Sequence, residues 1–113
     1  MKEQHLYEFL EMLVKENNDI FNKIKMYVNS EYIFRFCSLE VMVVYMEGFN
    51  KDKIEPIDIW QVIRSEDISK IKFMFDNFGE EIWTLFDKYT WLYKVFKRVD
   101  NPNIIQLTLK YKN

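Results

Sequence analysis

An apolar residue recurs at alternating intervals of three and four between Ile82 and Val99, and this pattern constrains the fold more than any other feature of the chain. The members of the stripe are Ile82, Leu85, Tyr89, Leu92, Phe96 and Val99. Because an α-helix turns once every ~3.6 residues, side chains at this spacing share one face, which must be covered by other elements. The sequence therefore predicts one long helix over 82–99, packed against further helices.

Most of the remaining chain carries helical patterns as well. Helices are predicted over 2–17, 20–28, 32–46, 56–63 and 68–79, the last ending at Gly79. The segment 32–46 is apolar on every side, which is typical of a central buried helix, although Val41–Tyr45 would also suit a strand. Gly and Pro number two each in 113 residues, which disfavours a fold of many short strands and tight turns.

The C-terminal segment follows a different pattern. After the breaker at 100–103, apolar Ile105, Leu107, Leu109 and Tyr111 alternate with polar residues, and this predicts a strand over 103–113. A strand needs a partner for its backbone groups. Three partners are possible for this strand. Pairing with residues 93–99 would form a hairpin, and pairing with Val41–Tyr45 would form a small mixed sheet. The strand could also pair with another chain.

These patterns predict a mainly α fold in a single domain over residues 1–113. We expect a compact bundle of about five to six helices with one C-terminal β-strand or small hairpin, or alternatively an α+β fold with a small sheet.

The sequence offers little for catalysis. His5 is the only histidine and lies in a polar run near the N-terminus, so we expect it at the surface. Cys37 is the only cysteine and has apolar neighbours, which indicates a buried, unreactive thiol. Carboxylate pairs such as Glu80/Glu81 begin predicted helices, where acidic residues serve the helix dipole. We therefore expect no enzyme activity, no cofactor and no bound metal.

Charge is unevenly distributed along the chain. Residues 1–87 hold ten basic against seventeen acidic residues, whereas residues 88–113 hold six basic residues against Asp100 alone. We expect a protein–protein interaction module, a small regulator or inhibitor that binds a partner protein or its own copy through the C-terminal strand. The candidate partner-binding residues are Lys94, Lys97, Arg98, Gln106, Thr108, Lys110 and Lys112.

A winged-helix-like nucleic-acid-binding regulator is the alternative, with a basic hairpin at 93–112 as its wing. The charge of the helix that would enter the DNA major groove is evidence against this alternative. That helix carries Glu80, Glu81 and Asp87, whose carboxylates would repel the phosphates. The lack of an N-terminal apolar signal and of a long apolar run predicts a cytoplasmic protein that does not enter membranes. Abundant Ile, Lys, Asn, Phe and Tyr are typical of AT-rich genomes, including those of phages and mobile elements.

Overall fold

The computed structural model describes residues 3–99 and 101–110, and these form a helical bundle. Eight α-helices lie within the described residues, more than the five or six expected from the sequence, and two short 3₁₀ turns cover Lys25–Tyr27 and Lys51–Lys53. In chain order the helices are α1 (Glu3–Glu16), α2 (Asn18–Ile24), α3 (Ser30–Phe36), α4 (Leu39–Met46), α5 (Pro56–Arg64), α6 (Ile68–Lys88), α7 (Thr90–Lys97) and α8 (Pro102–Leu109).

Side-chain caps determine where most of these helices begin. The first turn of a helix leaves backbone N–H groups without partners, and a short polar side chain can accept from them. Asn17 accepts from the backbone of Ile20 at 3.3 Å at the start of α2. Asn29 at α3, Ser38 at α4 and Asp67 at α6 accept in the same way, at 2.9, 3.3 and 3.0 Å. The predicted start of a helix after 65–67 is thus confirmed, with Asp67 as its cap.

The predicted helix over 32–46 is two helices, because Ser38 interrupts it. Cys37 and Ser38 have extended backbones, and the Ser38 side chain caps α4. The Glu11 carboxylate holds this break in place, accepting from the Ser38 N–H and from its hydroxyl, both at 2.9 Å. The helical prediction for these residues was correct, but the continuous helix was wrong. Val41–Tyr45 lies in α4, so the strand alternative is also wrong.

The boundary between 68–79 and 82–99 is also misplaced in the sequence prediction. Helix α6 continues through Gly79 to Lys88, with a bend at Phe78, where φ is −134° and ψ is 24°. Gly79 does not adopt the positive φ of a helix-ending glycine. The chain breaks instead at Tyr89, which has φ −119° and ψ 91°, before α7 begins. This break lets α7 fold back on α6, so that the Phe96 ring stacks on Phe86 at 5.2 Å.

The predicted C-terminal strand is wrong for residues 103–109, which belong to α8. The Asn101 side chain accepts from the Asn103 N–H at 3.0 Å, and Pro102 occupies the first helical position, where its missing N–H costs nothing. Ile104 is 1% exposed, whereas Ile105 and Leu109, which the strand prediction placed on one apolar face, are 39% and 55% exposed. Within the described residues there is no strand, so the hairpin and the mixed sheet are both absent. Residues 111–113 lie outside the described part.

Helix α6 lies at the centre of the fold. It contacts α4, α5, α7 and α8, while α1 packs on α2 and α4. Its buried face presents Ile71, Met74, Phe75, Ile82 and Phe86 to these neighbours. Within the part of the chain that the structure describes, no helix is both long and apolar enough to cross a bilayer.

Candidate functional site

The structure separates the residues that the sequence grouped as a partner-binding site. Lys94 and Lys97 lie on α7 and Arg98 directly follows it, and all three are exposed. Gln106 and Lys110 are exposed at α8 and just after it. Thr108 lies within α8, but its side chain is outside the described ones, and Lys112 is outside the described residues altogether. Of this group, Arg98 lines an open groove between several helices.

That groove, which we call the arginine groove, is an open concavity of about 800 Å³. It lies where α3, α5, α7 and the segment leading into α8 meet. Three cations line it: Arg35, Arg64 and Arg98. The apolar part of its surface comes from Trp60, Ile63, Val95, Val99 and Ile104, and the polar remainder from Glu66 and Asn101. The groove therefore combines positive charge with an apolar floor.

None of the three guanidinium groups is neutralised by a described residue. No carboxylate in the described part of the chain comes within 4.0 Å of their nitrogens. Two of them lie over aromatic rings instead, Arg64 at 5.2 Å from the Trp60 ring centre and Arg35 at 4.8 Å from that of Phe36. A guanidinium held against a ring keeps its in-plane N–H groups available for an anion.

The helical repeat explains how the groove is assembled. Trp60, Ile63 and Arg64 are three and four residues apart on α5, so they share one face. Val95, Arg98 and Val99 have the same spacing along α7 and its end, and they form the opposite wall. Arg35 reaches the groove from the last turn of α3.

Asp58 fixes α3 against α5 and thereby positions Arg35 relative to Arg64. Its carboxylate accepts from the Ser30 hydroxyl at 3.3 Å and from the Glu55 N–H at 3.2 Å, joining the starts of the two helices. Burial raises the pKa of Asp58, and the two hydrogen bonds oppose that rise. The α3–α5 contact is the most extensive between any two helices of the bundle.

Glu66 forms part of the groove rim with an unusual backbone. Its φ is 56°, in the left-handed region that residues other than glycine rarely adopt. The Glu66 N–H donates to the carbonyl of Ile63 at 3.1 Å, which closes the end of α5. The α5–α6 turn therefore places a carboxylate at the edge of a cationic groove.

A smaller cavity adjoins the arginine groove, and we call it the side pocket. It measures about 190 Å³ and is lined by Asn29, Glu31, Tyr32, Arg35, Phe36 and Gln61. Arg35 lines both cavities. Gln61 is 7% exposed, and its Oε1 atom accepts no hydrogen bond from any described residue. Buried polar atoms nearly always have a partner, so this acceptor is exceptional.

A second groove, of about 700 Å³, lies between the C-terminal half of α6 and α7. Glu80, Asp87, Trp83 and Tyr93 line it, and the Lys97 ammonium lies 4.7 Å from the centre of the Tyr93 ring. The ring centres of Trp83 and Tyr93 are 6.2 Å apart, and both rings also contact Phe86. These aromatics therefore pack chiefly against one another, and Lys97 covers one of them.

The titratable groups of the core lie elsewhere. Cys37 is buried, as predicted, and burial followed by the Glu11 charge raises the pKa of its thiol to about 12. Lys70 is 1% exposed, and burial lowers its pKa, although Asp67, Cys37 and Glu11 oppose the shift. Among the described residues, no three His, Cys, Asp or Glu side chains are grouped so that they could hold a metal ion.

Sequence reasoning missed Arg35, Arg64 and Trp60. The spacing of Trp60 and Arg64, which are four residues apart across the end of the helix predicted over 56–63, could have indicated a stacked pair. The sequence contains no local signal that α3 and α7 bring Arg35 and Arg98 to the same place. Comparisons with protein-family models, with curated proteins and with solved structures found no match to this chain.

Proposed function

We propose that this protein is a non-enzymatic docking module, a small regulator or inhibitor that binds an acidic segment of a partner protein in the arginine groove. One observation carries the proposal, namely that three guanidinium groups without a described carboxylate partner surround one groove with an apolar floor. Surface arginines that no described carboxylate engages can bind a ligand's anions.

The groove favours a particular kind of segment. Each guanidinium can hold a carboxylate through two parallel hydrogen bonds, worth about 1.5–3 kcal/mol where water is excluded and less in an open groove. Trp60, Val95 and Val99, which are partly exposed, offer the segment's apolar side chains a surface to bury. A segment that alternates acidic and apolar residues would use both features.

The charge distribution favours a peptide over a nucleic acid. The net charge of the whole chain is −2, with the acidic excess in residues 1–87. A nucleic acid carries a phosphate at every nucleotide and would need more cations along its path than the three arginines of the groove. The basic hairpin wing of the nucleic-acid alternative is also missing, because 93–97 and 102–109 are helical.

The test is a selection of random peptides displayed on phage. The wild-type protein and the triple variant Arg35→Gln, Arg64→Gln, Arg98→Gln are used as parallel baits. A charge-matched control carries Lys15→Gln, Lys23→Gln and Lys72→Gln, which change three exposed lysines outside the groove. We expect acidic–apolar sequences to be enriched on the wild type and on the control, and to be lost on the arginine variant.

Two results would contradict the proposal. One is the absence of any enriched sequence that depends on the three arginines. The other is tight binding of a fluorescent single-stranded oligonucleotide that the arginine variant abolishes and that weakens steeply with salt, because that result would assign the groove to nucleic acid.

A further inference from the structure

We propose that the second groove, between the C-terminal half of α6 and α7, binds a basic segment of a partner protein through two lysine or arginine side chains about 10 Å apart. We call it the acidic groove, because Glu80 and Asp87 line it. None of the described residues lines both this groove and the arginine groove, so the site is additional to the docking site proposed above.

Both carboxylates of the acidic groove are accessible to a ligand. Glu80 and Asp87 are exposed and line an open concavity of about 700 Å³. No cation of a described residue comes within 4.0 Å of their oxygens. Thr84 lies between them on the same face of α6, and its hydroxyl donates to the backbone carbonyl of Glu80 at 2.9 Å rather than to either carboxylate. The groove therefore presents two negative charges to whatever enters it.

The aromatic wall of the acidic groove favours an ammonium or guanidinium group as the ligand. Trp83 and Tyr93 line the groove and are partly exposed. The face of an aromatic ring attracts a cation, and the attraction is strongest for tryptophan. The Lys97 ammonium, 4.7 Å from the centre of the Tyr93 ring, already makes a contact of this kind within the protein. Carboxylates beside aromatic rings thus complement a side chain that is both cationic and partly apolar.

The helical repeat sets the distance between the two cations. Glu80 and Asp87 are seven residues apart on α6, which is two turns, so they lie on one face about 10.5 Å apart along the helix axis. A single ammonium group would have to draw both side chains together. Two cations at that separation meet each carboxylate where it lies, and a protein segment can supply both of them.

An extended segment provides the required separation. In the polyproline II conformation, with three residues per turn and a rise of ~3.1 Å per residue, residues i and i+3 share a face and lie about 9.3 Å apart. Proline-rich segments in this conformation also bind in aromatic-lined grooves of other proteins. A proline-rich segment with basic residues at i and i+3 therefore matches both the two carboxylates and the wall of Trp83 and Tyr93.

The test titrates the peptide acetyl-Pro-Arg-Pro-Pro-Arg-Pro-amide into the nitrogen-15-labelled protein and follows the indole N–H signals by NMR. The chain has three tryptophans, of which Trp83 lies in the acidic groove and Trp60 in the arginine groove. We expect the Trp83 signal to shift most and the Trp60 signal to stay in place. Replacing the second arginine of the peptide by glutamine should weaken binding about twofold to fivefold, as expected for the loss of one exposed charge pair.

Two matched double variants test whether the carboxylates of the groove hold the peptide. Glu80→Gln with Asp87→Asn should weaken binding about tenfold, because both charge pairs are lost. The control is Glu16→Gln with Asp52→Asn, which changes two exposed carboxylates that line neither groove and alters the net charge by the same amount. We expect the control to bind the peptide as the wild type does. All four substituted positions are at the surface, so both double variants should fold.

A third variant tests the aromatic wall by a gain of affinity. Lys97→Gln removes the internal cation that lies against the Tyr93 ring and would compete with the ligand for it. This variant should bind the peptide about twofold to fivefold more tightly than the wild type. A groove whose aromatic rings serve only to pack the helices together would give no such gain.

The inference is wrong if the Trp83 signal does not shift, if the Glu80/Asp87 double variant binds as well as the wild type, or if its control loses as much affinity. An affinity of Lys97→Gln at or below that of the wild type would overturn it as well. None of these results bears on the arginine groove, because no described residue lines both grooves and the peptide selection tests that site separately.

Discussion

Replacing Ile104 by Ala should destabilise the protein far more than replacing its neighbour Ile105. Ile104 is 1% exposed and Ile105 is 39% exposed, because α8 turns one toward α6 and the other toward solvent. Isoleucine has three carbons more than alanine, and burial of each contributes about 0.8 kcal/mol. With the cavity left behind, the Ile104→Ala change should lower the free energy of unfolding by about 3 kcal/mol.

The half-exposed Ile105 should lose only about 1 kcal/mol, since water fills the space that its side chain leaves. With an unfolding entropy of roughly 2.1 cal/mol/K per residue, each kcal/mol corresponds to about 4 °C in Tm for a chain of 113 residues. The two variants should therefore melt about 12 °C and about 4 °C below the wild type.

Urea unfolding followed by far-ultraviolet circular dichroism measures both free energies, and thermal melts check them. A C-terminal strand would bury Ile105 in place of Ile104 and reverse the order. An Ile105→Ala variant at least as unstable as Ile104→Ala would thus refute the helical packing of α8, and with it the floor of the arginine groove.

Three further predictions concern buried groups. Burial raises the pKa of the Cys37 thiol from 9.0 to about 12. At pH 8 the native thiol should therefore react with iodoacetamide about 1,000-fold more slowly than the thiol of the protein unfolded in urea. A difference below tenfold would contradict that burial. Burial raises the pKa of Asp58, so the folded state binds that proton more tightly than the unfolded state does. This group's contribution to stability should therefore fall as the pH rises above 3.8. Urea titrations of the wild type and of Asp58→Asn should diverge with pH in that sense, and a constant difference between their free energies of unfolding would be contrary evidence. Lys70→Met should raise the free energy of unfolding by about 1–3 kcal/mol, because it removes a buried ammonium whose pKa is already lowered. A loss of stability in urea would instead show that the interactions of Lys70 with Asp67 and Glu11 outweigh the cost of its burial.

The helical class could be predicted from the sequence because most segments have both an apolar period and a polar cap. Where the prediction failed, tertiary packing overrode the local pattern. The stripe at 82–99 is continuous in sequence, but the chain breaks at Tyr89 so that Phe96 can pack on Phe86 and Phe75. The alternation in 105–111 suggested a strand, yet the Asn101 cap and Pro102 begin a helix. A cap followed by proline was the better local signal at that point.

The candidate site was less predictable than the fold. Arg98 was selected from the basic C-terminal region, and the structure places it in the arginine groove. Arg35 and Arg64 come from a region with an acidic excess. The net charge of that region therefore did not indicate a cationic site. Their meeting depends on the α3–α5 contact and on Asp58, that is, on residues far apart in the chain. The hydrophobic period and the composition of a segment describe residues that are close in sequence. They carry no information on contacts between residues that are far apart in the chain.

The central position of α6 affects how this chain can be divided for experiments. The helix begins beyond the middle of the sequence. It contacts α4 and α5, which precede it in the chain, and α7 and α8, which follow it. A fragment that stops at the α5–α6 turn would expose the apolar faces that α6 covers, and the complementary fragment would expose α6 itself. Shorter versions for crystallisation or peptide mapping should therefore be trimmed from the termini, and a split-protein reporter cut at that turn should reassemble when its halves are co-expressed.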